Sequence, residues 1–419
     1  MNKPDNFCNV LYQLAKEHNA QNVETIVNGV RILIVQRMED ADYVLRGNVD
    51  NYIKNMNWFR QVLGASRMSE NGEAWRFRME LSQPYFAKFD RQQVFELALK
   101  VGSEIASEMT DDSTGSDGIV DDASMRRMAV SVFLPLFFDM NLKEAGIDME
   151  DLARMMEYGS EYAFVPSGET MVRYKKTLGQ LPGLRRKILA QMEKFRMIDA
   201  PEQSLLGRLQ NADRDETQNF VQEHELISLL AAGTETTASS MGWACYLLAR
   251  NPDIQESLRQ EVRKFMSSGK IVWDDFSQLK LLNNFISETL RLFPSTPVVA
   301  RMAVAADRIG DFDIDAGQNV LVSFVGVNHD SRMREDPWRI DVSDLATGCP
   351  VSGRTTSFSL GPRVCGGKHF ALVEMAGFIG ALLDKVRFEP TCMQEPRFRW
   401  KSQMLHEGGL PVRAIALNG

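Results

Sequence analysis

From Ser124 to Phe276 apolar residues recur every three or four positions, in runs such as MRRMAVSVFLPLFF and LPGLRRKILAQMEKFRM. That spacing gathers them on one face of a helix, so it predicts a large helical mass. Two zones break the pattern. In VETIVNGVRILIV, Val23 to Val35, short apolar runs flank Asn28-Gly29, a hairpin signal. From Val298 to Phe324 short apolar runs are separated by turns at Gly310-Asp311 and Ala316-Gly317, and RFRWKSQMLHEGGLPVRAIAL predicts the last strands. The acidic, small-residue stretch MTDDSTGSDGIVDDA, Met109 to Ala123, reads as a loop between helices. No internal repeat or Gly/Ser linker interrupts the chain. The expectation is a mainly α protein: one domain over residues 1–419, with a smaller β-rich lobe from roughly 20–50 and 298–325 plus C-terminal strands.

One segment imitates a membrane span. LISLLAAGTETTASSMGWACYLLA, Leu226 to Ala249, is long enough to cross a bilayer and carries one charge, Glu235. Its middle is filled by Thr234, Glu235, Thr236, Thr237, Ser239 and Ser240, which favours a helix buried inside protein. The N-terminal MNKPDNFCNVLYQLAKEH has no charged start followed by an apolar run and cleavage site, so neither export nor an anchor is expected.

Composition narrows the function classes. A hydrophobic share of 44% and a charged share of 25% are ordinary for a folded chain with a sizeable core. A net charge of -8 argues against a broad basic face for nucleic acid. The five cysteines, Cys8, Cys245, Cys349, Cys365 and Cys392, stand far apart with no CxxC pair, so neither a zinc site nor a disulfide framework is suggested and a cytoplasmic setting is expected.

One of these cysteines lies in unusual company. TTSFSLGPRVCGGKHFALVE, Thr355 to Glu374, reads F-x-x-G-x-R-x-C-x-G through Phe358, Gly361, Arg363, Cys365 and Gly367, just before a helical run. A lone cysteine is most often a buried structural thiol. As an iron ligand, Cys365 must be a thiolate, favoured by backbone N–H groups and the positive end of the helix that starts near Lys368. Glycines at 361, 366 and 367 would let backbone approach a flat ring, Arg363 would pair with a carboxylate at its edge, and Phe358 would keep water from the sulfur.

This bend resembles the cysteine loop of the cytochrome P-450 family, the haem-thiolate monooxygenases. AAGTETT, Ala231 to Thr237, is similar to that family's oxygen-binding stretch in its long central helix. By that resemblance Ala232 and Gly233 leave room for dioxygen, and a locally widened turn frees backbone carbonyls for water. SETLRLFP carries Glu288 and Arg291, which in the family bind a second arginine from a later loop; EDPWRIDVSD offers Arg339 for that role. An exposed ion pair is the ordinary reading of such i,i+3 spacing. The resemblance also gives Arg301 and Trp75 as groups at the haem carboxylates, while Met79 stands where a basic residue is expected after Trp75 and leaves the role of Arg78 open.

The resemblance therefore implies haem b held by Cys365, with Thr236 and Glu235 delivering protons for oxygen activation. It implies insertion of one oxygen atom from dioxygen into a small organic substrate. Ala232, Val298, Val299 and residues from Asn57 to Leu63 should line a mainly apolar pocket, with Phe164-Val165-Pro166 as a lid. Electrons should come from a separate ferredoxin and ferredoxin reductase, docking where Arg363, Lys368 and Arg76 or Arg78 supply positive charge. A peroxide-using or rearranging haem-thiolate enzyme and a non-enzymatic haem sensor are the alternatives. The Glu235-Thr236 pair speaks against both, since neither needs a proton relay.

Overall fold

A computed structural model describes residues 7–27, 29–111, 117–161, 170–214, 219–266, 272–343 and 356–417. The lid expected at Phe164-Val165-Pro166 lies outside the described residues.

Helices make up most of the molecule, and a 29-residue helix, Gln222–Arg250, runs through its centre. Its apolar and hydroxyl residues are buried on nearly every side, which is why its sequence imitates a membrane span. Trp243, 1% exposed, stacks on Phe293 at 4.3 Å, and its Nε1 donates to the Met404 carbonyl at 2.9 Å. Such a ring is worth roughly 25 cal/mol per Å² over on the order of 200 Å² of buried surface. Among the described residues no helix is long and apolar enough to cross a membrane.

The helix that follows the cysteine bend, Lys368–Lys385, packs closely on the helix Arg91–Met109. A Cβ on Gly377 would fall 2.7 Å from the Ala98 Cβ, so this approach requires glycine. Side-chain caps set the starts of two further elements: Asp90 accepts from the N–H groups of Gln92 and Gln93, and Asp121 from that of Ser124.

Strands β1 (Val23–Val27), β2 (Val30–Val35), β3 (Tyr52–Lys54), β4 (Val298–Ala303) and β7 (Asn319–Ser323) form one sheet in the order β1-β2-β7-β4-β3. β5 (Asp307–Ile309) and β6 (Phe312–Ile314) make a separate hairpin. β1 and β2 pair with Val27 opposite Val30, and Gly29 takes a φ of 77°, the left-handed conformation that a tight hairpin needs. Near the C-terminus β8 (Val386–Pro390) pairs with β11 (Val412–Ala416), and β9 (Phe398–Trp400) with β10 (Met404–His406). These two pairs are separate from the five-stranded sheet, and β8 packs on the central helix. The pattern of apolar positions did not mark β3 or β8. β3 is three residues long, and β8 leaves the preceding helix with no intervening turn.

Candidate functional site

Between Glu225 and Ala249 every residue of the central helix is buried except Ala232, Gly233 and Thr236. Positions i, i+1 and i+4 share one helix face, so these three open a window on an otherwise enclosed helix. The Thr236 hydroxyl donates to the Ala232 carbonyl at 2.7 Å, leaving its oxygen as an acceptor. Ser240 and Ser295 both donate to the Thr236 carbonyl at 2.9 Å. The helix is α-helical throughout, so the widened turn expected here is not found. At Gly233 a Cβ would meet the Phe133 ring at 2.3 Å, so the close approach of that ring requires glycine here.

Glu235, the neighbour of Thr236 in sequence, is 7% exposed. Arg126, on the helix Asp122–Phe138, donates from Nε to Glu235 at 2.7 Å and from Nη1 to Glu150 at 2.6 Å. Burial raises the Glu235 carboxyl above its ordinary value, and Arg126 opposes that shift. Glu150 is 61% exposed, so the three side chains lead from the helix interior to solvent.

In the cysteine bend the Cys365 N–H donates to the Phe358 carbonyl at 2.8 Å. The Cys365 side chain is accessible, yet protein surrounds it deeply enough that burial pushes its thiol up. The Gly367 N–H and the charges of Arg67, Lys368 and Lys54 act in the opposite direction, toward the thiolate. Gly361 has a φ of 67°, and a Cβ there would lie 2.0 Å from the Leu45 carbonyl oxygen. The neighbouring segment Tyr43–Gly47 thus already imposes glycine at this position. At Gly367 the reverse holds. A Cβ would touch only Cys365 Sγ and Phe86, each at 4.0 Å, so the protein itself leaves room beside the sulfur.

An aromatic chain ties the bend to the window. Phe133, which covers Gly233, packs on Phe137 at 4.7 Å, and Phe137 packs on Phe86 at 4.7 Å, beside Gly367.

Positive charge collects at the other side of the bend. Arg301 is 2% exposed on β4, and its side chain donates among the described residues only to the Ala300 carbonyl, at 2.9 Å. Burial lowers it to about 10. Directly across the strand pair stands Lys54 of β3, whose Nζ donates to the Met68 carbonyl at 3.0 Å. Burial and the charges of Arg301, Arg363 and Arg67 hold the Lys54 ammonium well below its ordinary value. Arg363 lies over the Trp75 ring at 4.0 Å and donates to the Glu70 carbonyl at 2.7 Å and Asn71 Oδ1 at 3.2 Å. Its Nη1 is buried without a partner, and burial with the neighbouring arginines lowers it to about 9. Like charges directly opposite on a sheet are unfavourable unless an anion joins them. Among the described residues no carboxylate pairs with Lys54, Arg301 or Arg363. Two carboxylates at the edge of a flat cofactor fit that deficit, and the space at Gly367 fits its face.

Arg78 has a different task. It is 3% exposed, donates to the Ala74 and Asn219 carbonyls, and lies 3.7 Å from Glu225. It is therefore not available to a docking partner, while Arg76 is exposed. Burial raises Glu225 to about 7, opposed by the Arg67 N–H and by the Arg78 and Arg67 charges.

Glu288 and Arg291 are 0% and 2% exposed, joined by two hydrogen bonds of 2.8 Å, so this is a buried pair. The second arginine is Arg334, at 3.0 Å from Glu288, and not Arg339. Arg339 is exposed and contributes its carbonyl, which accepts from Arg291 at 3.0 Å. The chain turns between the two arginines, and that turn reverses which side chain faces the pair. Sequence reading also missed Lys54, Arg67 and Arg126. Each acts across elements whose pairing no local spacing encodes.

A profile of the family described as cytochrome P-450 matches residues 2–412. Cytochrome P-450 4F12 from Homo sapiens is 34% identical over 203 residues, covering 46% of this chain and 38% of that protein. Leukotriene-B4 omega-hydroxylase 3 from Mus musculus gives the same identity and coverage. The chain thus matches well under half the length of these relatives. A crystal structure of a cytochrome P-450DA heme domain superposes with a TM-score of 0.81 at 17% identity, covering 99% of this chain and 94% of that one. A second cytochrome P-450 crystal structure gives 0.79 at 19% identity, covering 99% of each chain. With a family profile spanning nearly all of it, and the fold shared, the chain belongs to the cytochrome P-450 family.

Proposed function

We propose that the protein is a haem-thiolate monooxygenase that inserts one oxygen atom from dioxygen into a mainly apolar organic substrate. The observation that carries this reading is an accessible thiol set beside enclosed cations that meet no protein carboxylate. Cys365 would ligate the iron of haem b, and Lys54, Arg301 and Arg363 would neutralise its two carboxylates, with Trp75 backing Arg363. Bound there, the haem supplies oxygen activation with electron density from the thiolate.

The chain's own residues then have separable tasks. Thr236 offers a hydroxyl oxygen at the window, able to hold a water by accepting its hydrogen bond. Glu235 takes protons from the Arg126–Glu150 side and releases them toward that water, and burial favours its protonated form. The ring chain of Phe133, Phe137 and Phe86 keeps bulk water from the sulfur. Val298 and Val299 are half-buried on β4, as suits a pocket wall. Electrons would come from a ferredoxin and its reductase, docking near exposed Val364 and Arg76 with Lys368 close by. A cytoplasmic setting belongs to the same proposal, supported by four free cysteines among the described residues.

The test is the spectrum of the reduced protein under carbon monoxide, followed by turnover with a ferredoxin system and, separately, with peroxide. A thiolate-type spectrum, its loss in Cys365→Ala, and product only with the ferredoxin system are expected. A histidine-type spectrum removes the ligand assignment, and product with peroxide alone replaces the monooxygenase by a peroxide-using enzyme.

A further inference from the structure

We propose that Arg185 and His224 form an acid-released latch, which ties the helix Thr170–Glu193 to the segment Asn57–Leu63 and controls how readily a ligand enters beside it. The control of entry rests on the monooxygenase reading, with the pocket wall expected at Asn57–Leu63. The latch itself stands without it.

His224 lies in the first turn of the central helix, and the chain leaves room for its ring. Gly64 follows the helix Asn57–Leu63 with a φ of 94°, and a Cβ there would fall 2.2 Å from His224 Cγ. Arg185 Nη2 stands 3.2 Å from His224 Nε2, while Arg185 Nε donates to the Val62 carbonyl at 2.9 Å. Val62 packs in turn on Gly159 of the helix Met149–Glu161, where a Cβ would meet Val62 Cγ1 at 2.7 Å. One guanidinium therefore joins the helix Thr170–Glu193 both to the end of Asn57–Leu63 and to the start of the central helix.

Hydrogen-bond chemistry fixes the charge state that this contact tolerates. A guanidinium only donates, so Nε2 must accept, and the ring is neutral with its proton on Nδ1. A second proton can go only to Nε2. It would set N–H against N–H and positive charge against positive charge, so both effects break the contact. Nδ1 is buried with no partner among the described residues, and nothing on that side stabilises an imidazolium. Burial and the Arg185 charge hold the ring below its ordinary value.

The other charges acting on the ring are Arg78 on the helix Gly72–Ala87, Asp213 on the helix Leu205–Arg214 and Glu223 on the central helix itself. Asp213 and Glu223 both pair with Arg196, and Arg78 lies against Glu225. Glu225 is raised to about 7 by burial and so titrates in the same range, but its oxygens face the Arg67 N–H and Arg78. The sign follows from the lowered imidazole value. The latch is closed above the ordinary imidazole value of about 6.5 and is lost as the pH falls through the lowered one. Leu181 and Ile188, buried on either side of Arg185, keep the helix packed, so the release is local.

Deuterium exchange of backbone amides in the haem-loaded protein, corrected for the intrinsic effect of pH, reads the latch over residues 57–64 and 179–192. In wild type both segments should exchange roughly threefold or more faster at pH 5.5 than at pH 7.5. His224→Gln, whose Oε1 accepts from Arg185 at either pH, should stay slow at both. Arg185→Gln should stay slow at pH 5.5, because its amide can accept from a protonated ring as well as donate to a neutral one. Glu225→Gln should keep the wild-type response. Entry is read with n-butyl isocyanide, an apolar iron ligand that does not titrate in this range. Its binding to the reduced protein should speed up by a similar factor at pH 5.5 in wild type and not in His224→Gln. Equal exchange at the two pH values in wild type, an acid response retained in His224→Gln, or its loss in Glu225→Gln overturns the latch. Exchange that responds while isocyanide binding does not overturns the control of entry. If the carbon monoxide spectrum is not of thiolate type while the exchange series holds, the monooxygenase reading fails and the latch remains.

Discussion

Removing the carboxylate of Glu288 leaves Arg291 as a charge in a region where it is 2% exposed. In the intact protein Arg291 makes five hydrogen bonds: two to Glu288, and one each to the carbonyls of Asn328, Pro337 and Arg339. Glu288 accepts in addition from the Asp341 N–H at 3.0 Å and pairs with Arg334. Glu288→Ala thus strips Arg291 of its only countercharge among the described residues but leaves it three carbonyls, and a cost of roughly 3–5 kcal/mol is expected for breaking such a pair. Arg291→Ala should cost a similar amount for a different reason. Glu288 keeps Arg334, while three buried carbonyls lose their donor and a large side chain leaves a cavity. The double variant should cost less than the sum of the two, by about 1–3 kcal/mol of coupling. Arg334→Ala should fall below both, whereas Arg339→Ala should stay within about 0.5 kcal/mol of wild type, because only its main chain takes part. Guanidinium unfolding of all five variants, with haem content measured alongside, checks the series. A loss under about 1 kcal/mol in Glu288→Ala, or Arg339→Ala as damaging as Arg334→Ala, would refute this account of the pair.

Three further outcomes follow from the site. Thr236→Ala should still bind haem and substrate, since alanine suits a helix, but consumption of reduced cofactor should yield hydrogen peroxide in place of product; Glu235→Gln should instead slow turnover without that uncoupling. Both are read as product and peroxide formed per cofactor consumed, and full coupling in Thr236→Ala removes its hydroxyl from the mechanism. Lys54→Met should speed haem loss to a scavenging apoprotein roughly tenfold, as expected for losing a charge-assisted hydrogen bond of about 1.5–3 kcal/mol; unchanged loss would detach Lys54 from the haem edge. Glu225 is raised from 4.5 to about 7 in the fold, so its protonated form is the one folding favours. The stability this adds is complete below pH 4.5 and is lost as the pH rises through 7, so the apoprotein should weaken across that window and Glu225→Gln should flatten the slope.

Much of this was legible in the chain itself. The β1–β2 hairpin follows from apolar runs on either side of Asn28-Gly29, and the burial of the central helix from hydroxyl residues in the middle of an apolar stretch. Both signals are local, because periodicity and turn chemistry act within a few residues. The cysteine bend and the AAGTETT run could be singled out for the same reason: their chemistry depends on neighbours in sequence.

What tertiary structure decided is which distant groups meet. Gly233 and Gly361 stand in ligand-like motifs, yet the atoms that a side chain there would meet are those of Phe133 and the Leu45 carbonyl, from remote segments. Gly367 keeps open space that nothing around it in sequence guarantees. Arg334 rather than Arg339 reaches Glu288, since a turn exchanges the directions of side chains five residues apart. Lys54 joins Arg301 only because two short strands pair in one register. Charge interactions act through space at distances set by packing, so a sequence lists the charges but only the fold says which of them are left unpaired.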